Sequence, residues 1–366
     1  MALRSPPAGG QVTPFGQQYA RLVSYLAKLY DAPFFQRGEV RYPITHFPPA
    51  SQQVDDLDSV LGPPPAEDDW LEGEDALAFY NHAVLATYQN RTPGLYNGIT
   101  YAFKRLRPGP LLKVEAHLGR YYDMLATCGA LEQELRDANL HETLRLPGRT
   151  LLHRAISPQR AITEGAGRSA ALGVACLTVF AHPEGGHRAI LARRTSRNAT
   201  DPGFFHVLPA FIFQPSEGSP TTRDWSVRHQ VEREYLEELF GMEEDPQGNQ
   251  DFSQQAAWHD LQAMLAAGRA SLHLTGVVFN FFTLRAEICA LLLIRDPQWW
   301  ARCAAPDSLT PFNAASEAQG GRLTLVPIQD DAALLASLPP DVHAIMPPQG
   351  AAALWLGVDL ARRLLA

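Results

Sequence analysis

From Tyr19 to Tyr30 the apolar residues of "YARLVSYLAKLY" fall three and four positions apart, which predicts a helix with one buried face. A second helical pattern runs through "ALAFYNHAVLATYQ", residues 76–89. In "LYNGITYAFKRLRPGPLLKVEAHLGRYYDML" the period changes to two, and Asn97-Gly98 and Pro108-Gly109 break it into short runs, as in a small antiparallel sheet. "GALEQELRDA" predicts one more helix. After residue 160 the pattern is clearer. The unbroken apolar run "AALGVACLTVFA", the turn "HPEGGH" and the strand-like "RAILARR" predict a buried hairpin. "FFHVLPAFIF" reads as one further strand. "LHLTGVVFNFFTLRAEICALLLI" reads as two strands and "RLTLVPI" as one, with a short helix in "DDAALLASL" and a closing helix in "GAAALWLGVDLARRLL" behind Pro347 and Pro348.

Between these strands lies "VEREYLEELFGM", residues 231–242, a helix stopped by Gly241. At about 100° per residue, Glu234, Glu237 and Glu238 share a roughly 100° arc opposite Val231, Tyr235, Leu236, Leu239 and Phe240. Two readings follow. The acidic arc is either the solvated side of a surface helix or a set of carboxylates gathered around a counter-charge, since glutamates three and four apart repel one another. A hard divalent cation takes oxygen ligands and would supply that charge.

Mixed strands with helices on both faces make the fold class α/β. No internal repeat is visible, which excludes solenoids and propellers. The Pro- and Arg-containing stretch "RLPGRTLLHRAISPQRAITEGAGR" marks a boundary near residue 160, dividing an α+β unit, 1–160, from the strand-rich 161–366. With 366 residues, 46% of them hydrophobic, the chain has material for two compact domains.

A net charge of −8 gives no basic footprint for nucleic acid. No apolar run is long enough for a bilayer span and no signal-peptide pattern opens the chain, so a soluble, cytoplasmic protein is expected. Cys128, Cys176, Cys289 and Cys303 show no Cys-x-x-Cys spacing and are expected as buried small hydrophobes. The Asn-x-Thr triplets at Asn90 and Asn198 carry no meaning in such a protein. From Asp55 to Asp75 nine acids occur with no Lys or Arg, interrupted by "GPPPAEDDW", which predicts a solvated loop.

The run Arg233-Glu234-Tyr235-Leu236-Glu237-Glu238 resembles the core of the Nudix box, the Arg-Glu-apolar-x-Glu-Glu segment of Nudix hydrolases. The resemblance extends over about residues 170–366. It implies a Nudix-like α/β/α sandwich with a mixed sheet, preceded by the smaller α+β domain. It also implies Mg²⁺ or Mn²⁺ held by Glu234, Glu237 and Glu238, with Glu237 and Glu238 serving the attacking water, Arg233 supporting the helix, and Glu317 as an acid from a later loop. The reaction implied is metal-dependent hydrolysis of a nucleoside diphosphate linked to another group. The partner would be a small nucleotide derivative, with no nucleic acid and no membrane, and a homodimer is compatible with the family. Around the box the chain departs from the pattern. Ser219 and Trp225 stand where the family has Gly and Glu, with Gly218 and Asp224 one place away; two residues separate Glu238 from Gly241; and Leu208-Pro209 is followed by Ala210 in place of glycine. These departures define the alternative, a catalytically inactive Nudix-fold protein that senses a ligand or regulates a partner.

Other patterns read as structure. "GAGRSA", Gly165 to Ala170, lacks the lysine of a phosphate loop and precedes its strand, so it is a turn. His182 and His187 flank a turn and are expected exposed; His206 is expected as a hydrogen-bonded core histidine. Tyr96, Tyr101, Tyr121 and Tyr122, near Asn97, Arg120 and Asp123, are expected to furnish a small sheet's core. No Ser or Cys lies in a recognisable elbow, so no nucleophilic triad is expected.

Overall fold

The computed structural model describes residues 18–138, 144–194, 203–215, 223–242, 252–304, 312, 323–339, 342 and 345–366. The first amphipathic run forms helix α1 (Tyr19–Tyr30), which buries Leu22, Val23, Leu26 and Tyr30. Two-residue strands β1 (Gln36–Arg37) and β2 (Val40–Arg41) then form a small hairpin, followed by β3 (Ile44–Phe47). Beyond β4 (Trp70–Leu71), helix α2 (His82–Arg91) occupies the later part of the second helical pattern, capped by the Asn81 side chain, which accepts from the Val84 amide at 3.1 Å. The period-two segment is the hairpin β5 (Ile99–Arg107) and β6 (Lys113–Arg120), and β4 adds to β6 in parallel. Helices α3 (Tyr121–Met124), α4 (Ala130–Arg136) and α5 (Pro147–Ala155) follow, the first two joined by a π-type turn over Leu125–Gly129.

The apolar run after residue 160 is β7 (Gly173–Ala181), paired antiparallel with β8 (His187–Arg193) across the expected turn. "FFHVLPAFIF" is two strands. β9 (Phe205–Val207) pairs with β8, and β10 (Ala210–Ile212) crosses to pair with β7. Pro209 has no amide hydrogen to give to a ladder, so the chain changes partner there. Then come α6 (Val227–Phe240), α7 (Ala256–Ala266), β11 (Ala270–Asn280), β12 (Arg285–Ile294), α8 (Trp299–Ala304), β13 (Thr324–Pro327), α9 (Asp331–Ala336) and α10 (Pro348–Leu365).

The main sheet runs β13-β8-β7-β12-β11-β3, with β9 and β10 on β8 and β7; β7 and β12 are parallel and the other described pairs antiparallel. Alternate residues of one strand enter different cores. Val174, Cys176, Ile288 and Leu292 join α6 and α7, while Ala175, Leu177, Cys289 and Leu291 join α10. Strands covered on both faces need apolar residues at every position, which is why β7 and β12 read as continuous hydrophobic runs. Gly357 lets α10 lie close against β7, because a Cβ there would meet the Leu177 side chain at 2.7 Å. The architecture is therefore α/β, with a mixed sheet between helical layers.

Structure on the two sides of residue 160 is continuous. β3 extends the main sheet through β11, and one core cluster holds Leu26, Leu57 and Val114 together with Val231, Tyr235 and Ile288. The acidic stretch is not a plain solvated loop. Leu57, Val60 and Leu61 are buried, and Asp69 binds Lys104 Nζ at 2.7 Å and His117 Nδ1 at 2.5 Å. Asp55, Asp69 and Glu72 pair with His273, Lys104 and Arg120, far along the sequence. All four cysteines are free and buried, and no helix among the described residues is long and apolar enough to cross a membrane.

Candidate functional site on the glutamate helix

Helix α6 starts where Ser226 caps it. The Ser226 hydroxyl accepts from the His229 amide at 3.1 Å and donates to Asp58 at 2.7 Å, and Asp58 also accepts from the Arg228 amide at 3.1 Å. A carboxylate from the acidic stretch thus sits on the positive end of the helix dipole. The last turn closes on Gly241, whose φ of 65° is the left-handed conformation that glycine adopts without a steric penalty.

The apolar side is buried as its spacing demands: Val231, Tyr235, Leu236 and Leu239 are each 1% exposed. The acidic side is buried too. Glu234 is 7% exposed, Glu238 5% and Arg233 8%, and the Glu237 side chain 14%. The solvated-face reading of these glutamates therefore does not hold. A buried carboxylate needs a charge or hydrogen-bond partner, and the helix carries one of its own: Arg233 Nη2 donates to Glu234 Oε1 at 2.7 Å, and Arg233 Nε lies 3.5 Å from Glu237 Oε1. Glu238 is held from the sheet, where the Ala210 amide of β10 reaches both its carboxylate oxygens at 3.1 Å. The turn at Leu208-Pro209-Ala210 therefore meets the helix through a backbone amide.

One turn before Glu234, the Gln230 side chain donates to the Asp224 carbonyl at 3.2 Å, while its Oε1 is buried without a hydrogen-bond partner among the described residues. The Tyr101 hydroxyl, which faces the charges of Asp224 and Arg233, is orphaned in the same way, and burial pushes its pKa far up, with Asp224 adding to the rise. Buried polar atoms of this kind are normally met by water or a ligand. Gln230, Glu234, Glu237 and Glu238 occupy helix positions three, four and eight residues apart, on one side of α6.

The residues around the box have structural reasons. Trp225 stacks on Phe213 at 5.3 Å, meets Tyr101 edge-on at 4.7 Å and donates to the Gly62 carbonyl at 2.9 Å, so it is a core anchor joining the loop to the first half of the chain. Tyr235 accepts from Trp299 Nε1 at 3.0 Å. Ser219, Gly218 and Glu317 lie outside the described residues. Among the described residues no group of three His, Cys, Asp or Glu is spaced to hold a metal ion.

The remaining expectations divide. His206 is a core histidine, 6% exposed, and burial with help from Arg194 lowers its pKa to about 3. His182 is half-buried and not exposed, packing on Phe180 and Trp300 at centroid distances of 6.0 and 6.4 Å. Tyr101 enters the core, but Tyr96 is exposed, so the four tyrosines are not one cluster. A cavity of about 630 Å³ opens at the start of α5, lined by residues that include Phe79, Asn81, Glu134, Arg145 and Gly148, none of them on α6. Glu134 fills the helix end there, accepting from the Gly148 amide at 2.8 Å and the Arg149 amide at 3.2 Å.

Asp58 and Ala210 are not identifiable from sequence as partners of the glutamate helix, because each acts through a contact that sequence spacing does not encode. The sequence matches no family model and no curated protein.

Proposed function

We propose that the chain is a divalent-metal-dependent hydrolase of a nucleoside diphosphate linked to another group, built on a Nudix-like sandwich and acting at Glu234, Glu237 and Glu238. The observation that carries this reading is the burial of Glu234, Glu237 and Glu238 on one helix, with the orphaned oxygen of Gln230 one turn before them. Carboxylate and amide oxygens are the donor set of Mg²⁺ or Mn²⁺, and Mg²⁺ is commonly held by one or two carboxylates plus substrate phosphates, so a three-residue protein cage is not required. When bound, the metal neutralises the diphosphate and lowers the pKa of a coordinated water.

The chain's own residues do the positioning. Arg233 fixes the side chains of Glu234 and Glu237, and the Ala210 amide fixes Glu238. Glu237 is the most accessible of the three and is assigned to take the proton of the attacking water, with Glu238 beside it.

A second reading, a ligand-sensing protein without turnover, is favoured by one observation: Arg233 already supplies the counter-charge that a metal would provide. A panel of nucleoside diphosphate derivatives, incubated with Mg²⁺ or Mn²⁺ and followed by product chromatography, separates them. Metal-dependent cleavage lost in Glu237→Gln supports the hydrolase. Binding of a panel member without cleavage supports the sensor.

A further inference from the structure

A second chemical constellation lies at the far end of the sheet, on β11. Ser271 and His273 are two apart on that strand and point to the same face. His273 Nε2 is 2.7 Å from Ser271 Oγ, and His273 Nδ1 is 2.7 Å from Asp55 Oδ1. Asp55 is brought there by the segment beside it, which lies along β11 with the Val54 carbonyl accepting from the Leu274 amide at 2.7 Å. Arg295, just past β12, donates from Nη1 to Ser271 Oγ at 2.8 Å. No local motif announces this hydrogen-bonded trio, because its aspartate and histidine are 218 positions apart.

With a neutral imidazole, the partners order the protons. An ionised carboxylate only accepts, so Asp55 takes the Nδ1 hydrogen of a neutral imidazole, which leaves Nε2 as the acceptor. Arginine only donates, so Ser271 Oγ accepts from Arg295 and directs its own hydrogen to Nε2. This is the tautomer that a general base needs, with a positive charge against the oxygen that is to become the nucleophile. Burial lowers the pKa of His273, partly offset by Asp55, so the ring is free to accept a proton at neutral pH. Ser271 is half-buried and so partly open to solvent.

We propose that Ser271 is the nucleophile of a second, esterase-type site that takes small carboxylic esters, with His273 as general base and Asp55 as a positioning residue. Ser271 Oγ bonds to the acyl carbon while its proton passes to His273 Nε2. The bond to the alcohol breaks, and the alkoxide leaves with that proton. Water then attacks the acyl-serine, its proton moving by way of His273 to the Ser271 oxygen, and the carboxylic acid departs. Arg295 orients the Ser271 hydroxyl through its bond to Oγ, and the negative charge of the tetrahedral intermediate falls on the former carbonyl oxygen of the ester.

The test is covalent labelling of the full chain with a fluorophosphonate, in which Ser271 Oγ bonds to phosphorus, fluoride leaves and the proton goes to His273. Intact mass and peptide mapping should show one adduct per chain, at Ser271, absent from Ser271→Ala. His273→Gln should slow labelling about 100-fold or more. Asp55 has an exposed side chain, so Asp55→Asn leaves the core untouched and stays decisive even if His273→Gln does not fold. The charged groups facing His273 are Asp55 and Arg295. Losing the first should slow labelling and move its pH midpoint to lower pH, a shift that a purely structural aspartate would not cause. Hydrolysis of p-nitrophenyl acetate should follow the same order. An unlabelled Ser271, or labelling equal in rate and pH midpoint in wild type and Asp55→Asn, overturns the proposal.

Discussion

Replacing Arg233 with leucine tests how the acidic side of α6 survives burial. The substitution keeps a shorter apolar side chain at the position and removes the charge that pairs with Glu234 at 2.7 Å and Glu237 at 3.5 Å. Breaking a buried ion pair from one side costs about 3–5 kcal/mol, because the other charge is left without compensation. Glu237 keeps some solvent, and Glu234 and Glu237 make further interactions, so the lower end, about 3 kcal/mol, is expected. Unfolding entropy near 2.1 cal/mol/K per residue gives about 0.8 kcal/mol/K for 366 residues, so the melting temperature should fall by about 4 °C if the chain unfolds as one unit. Scanning calorimetry reads this directly. Arg233→Leu combined with Glu234→Gln should recover part of the loss, since the uncompensated carboxylate is then neutral. A drop under about 1 °C, or a double variant no more stable than the single one, would refute the claim that Arg233 is the internal counter-charge.

Three further outcomes follow from the packing. His206 has a folded pKa of about 3 against an ordinary value of 6.5, so its stabilising effect is complete above pH 6.5 and is lost as pH falls towards 3. By pH 4.5 the loss is about 2–3 kcal/mol, and denaturant titrations should show His206→Leu gaining on wild type by that amount between pH 7 and 4.5. Asp58→Ala removes the carboxylate that binds Ser226 and the Arg228 amide at the start of α6 and should cost about 1 kcal/mol in urea unfolding; the double change with Ser226→Ala should cost less than the sum, because the two share a bond. Because β3 joins the main sheet and one core cluster spans residue 160, calorimetry should show a single transition, whereas two resolved transitions, or proteolysis near residues 140–165 that releases a folded C-terminal fragment, would mean two units.

What was legible in the sequence was whatever burial imposes locally. The amphipathic run at Tyr19–Tyr30, the unbroken apolar strands β7 and β12 and the glycine stop at Gly241 follow from period, coverage and φ, which neighbouring residues encode. The splitting of "FFHVLPAFIF" was less visible, because an apolar run looks the same whether it pairs with one strand or changes partner at a proline. The acidic stretch was misread because solvation was inferred from charge alone, while Asp55, Asp58 and Asp69 find His273, Ser226 and Lys104 across the fold. Only half of the glutamate helix is legible in the sequence. Its apolar arc was plain, but the burial of the opposite arc depends on β10 and on Arg233, and spacing says nothing of either depth or rotamer.

Whether the acidic side of α6 binds a divalent cation is read by calorimetric titration of Mg²⁺ and Mn²⁺ into the full chain and into Glu237→Gln with Glu238→Gln. The wild type should bind saturably and gain melting temperature with the metal, and the double variant should lose both while its metal-free fold remains intact. No saturable heat in the wild type, or identical titrations for the two proteins, would contradict it.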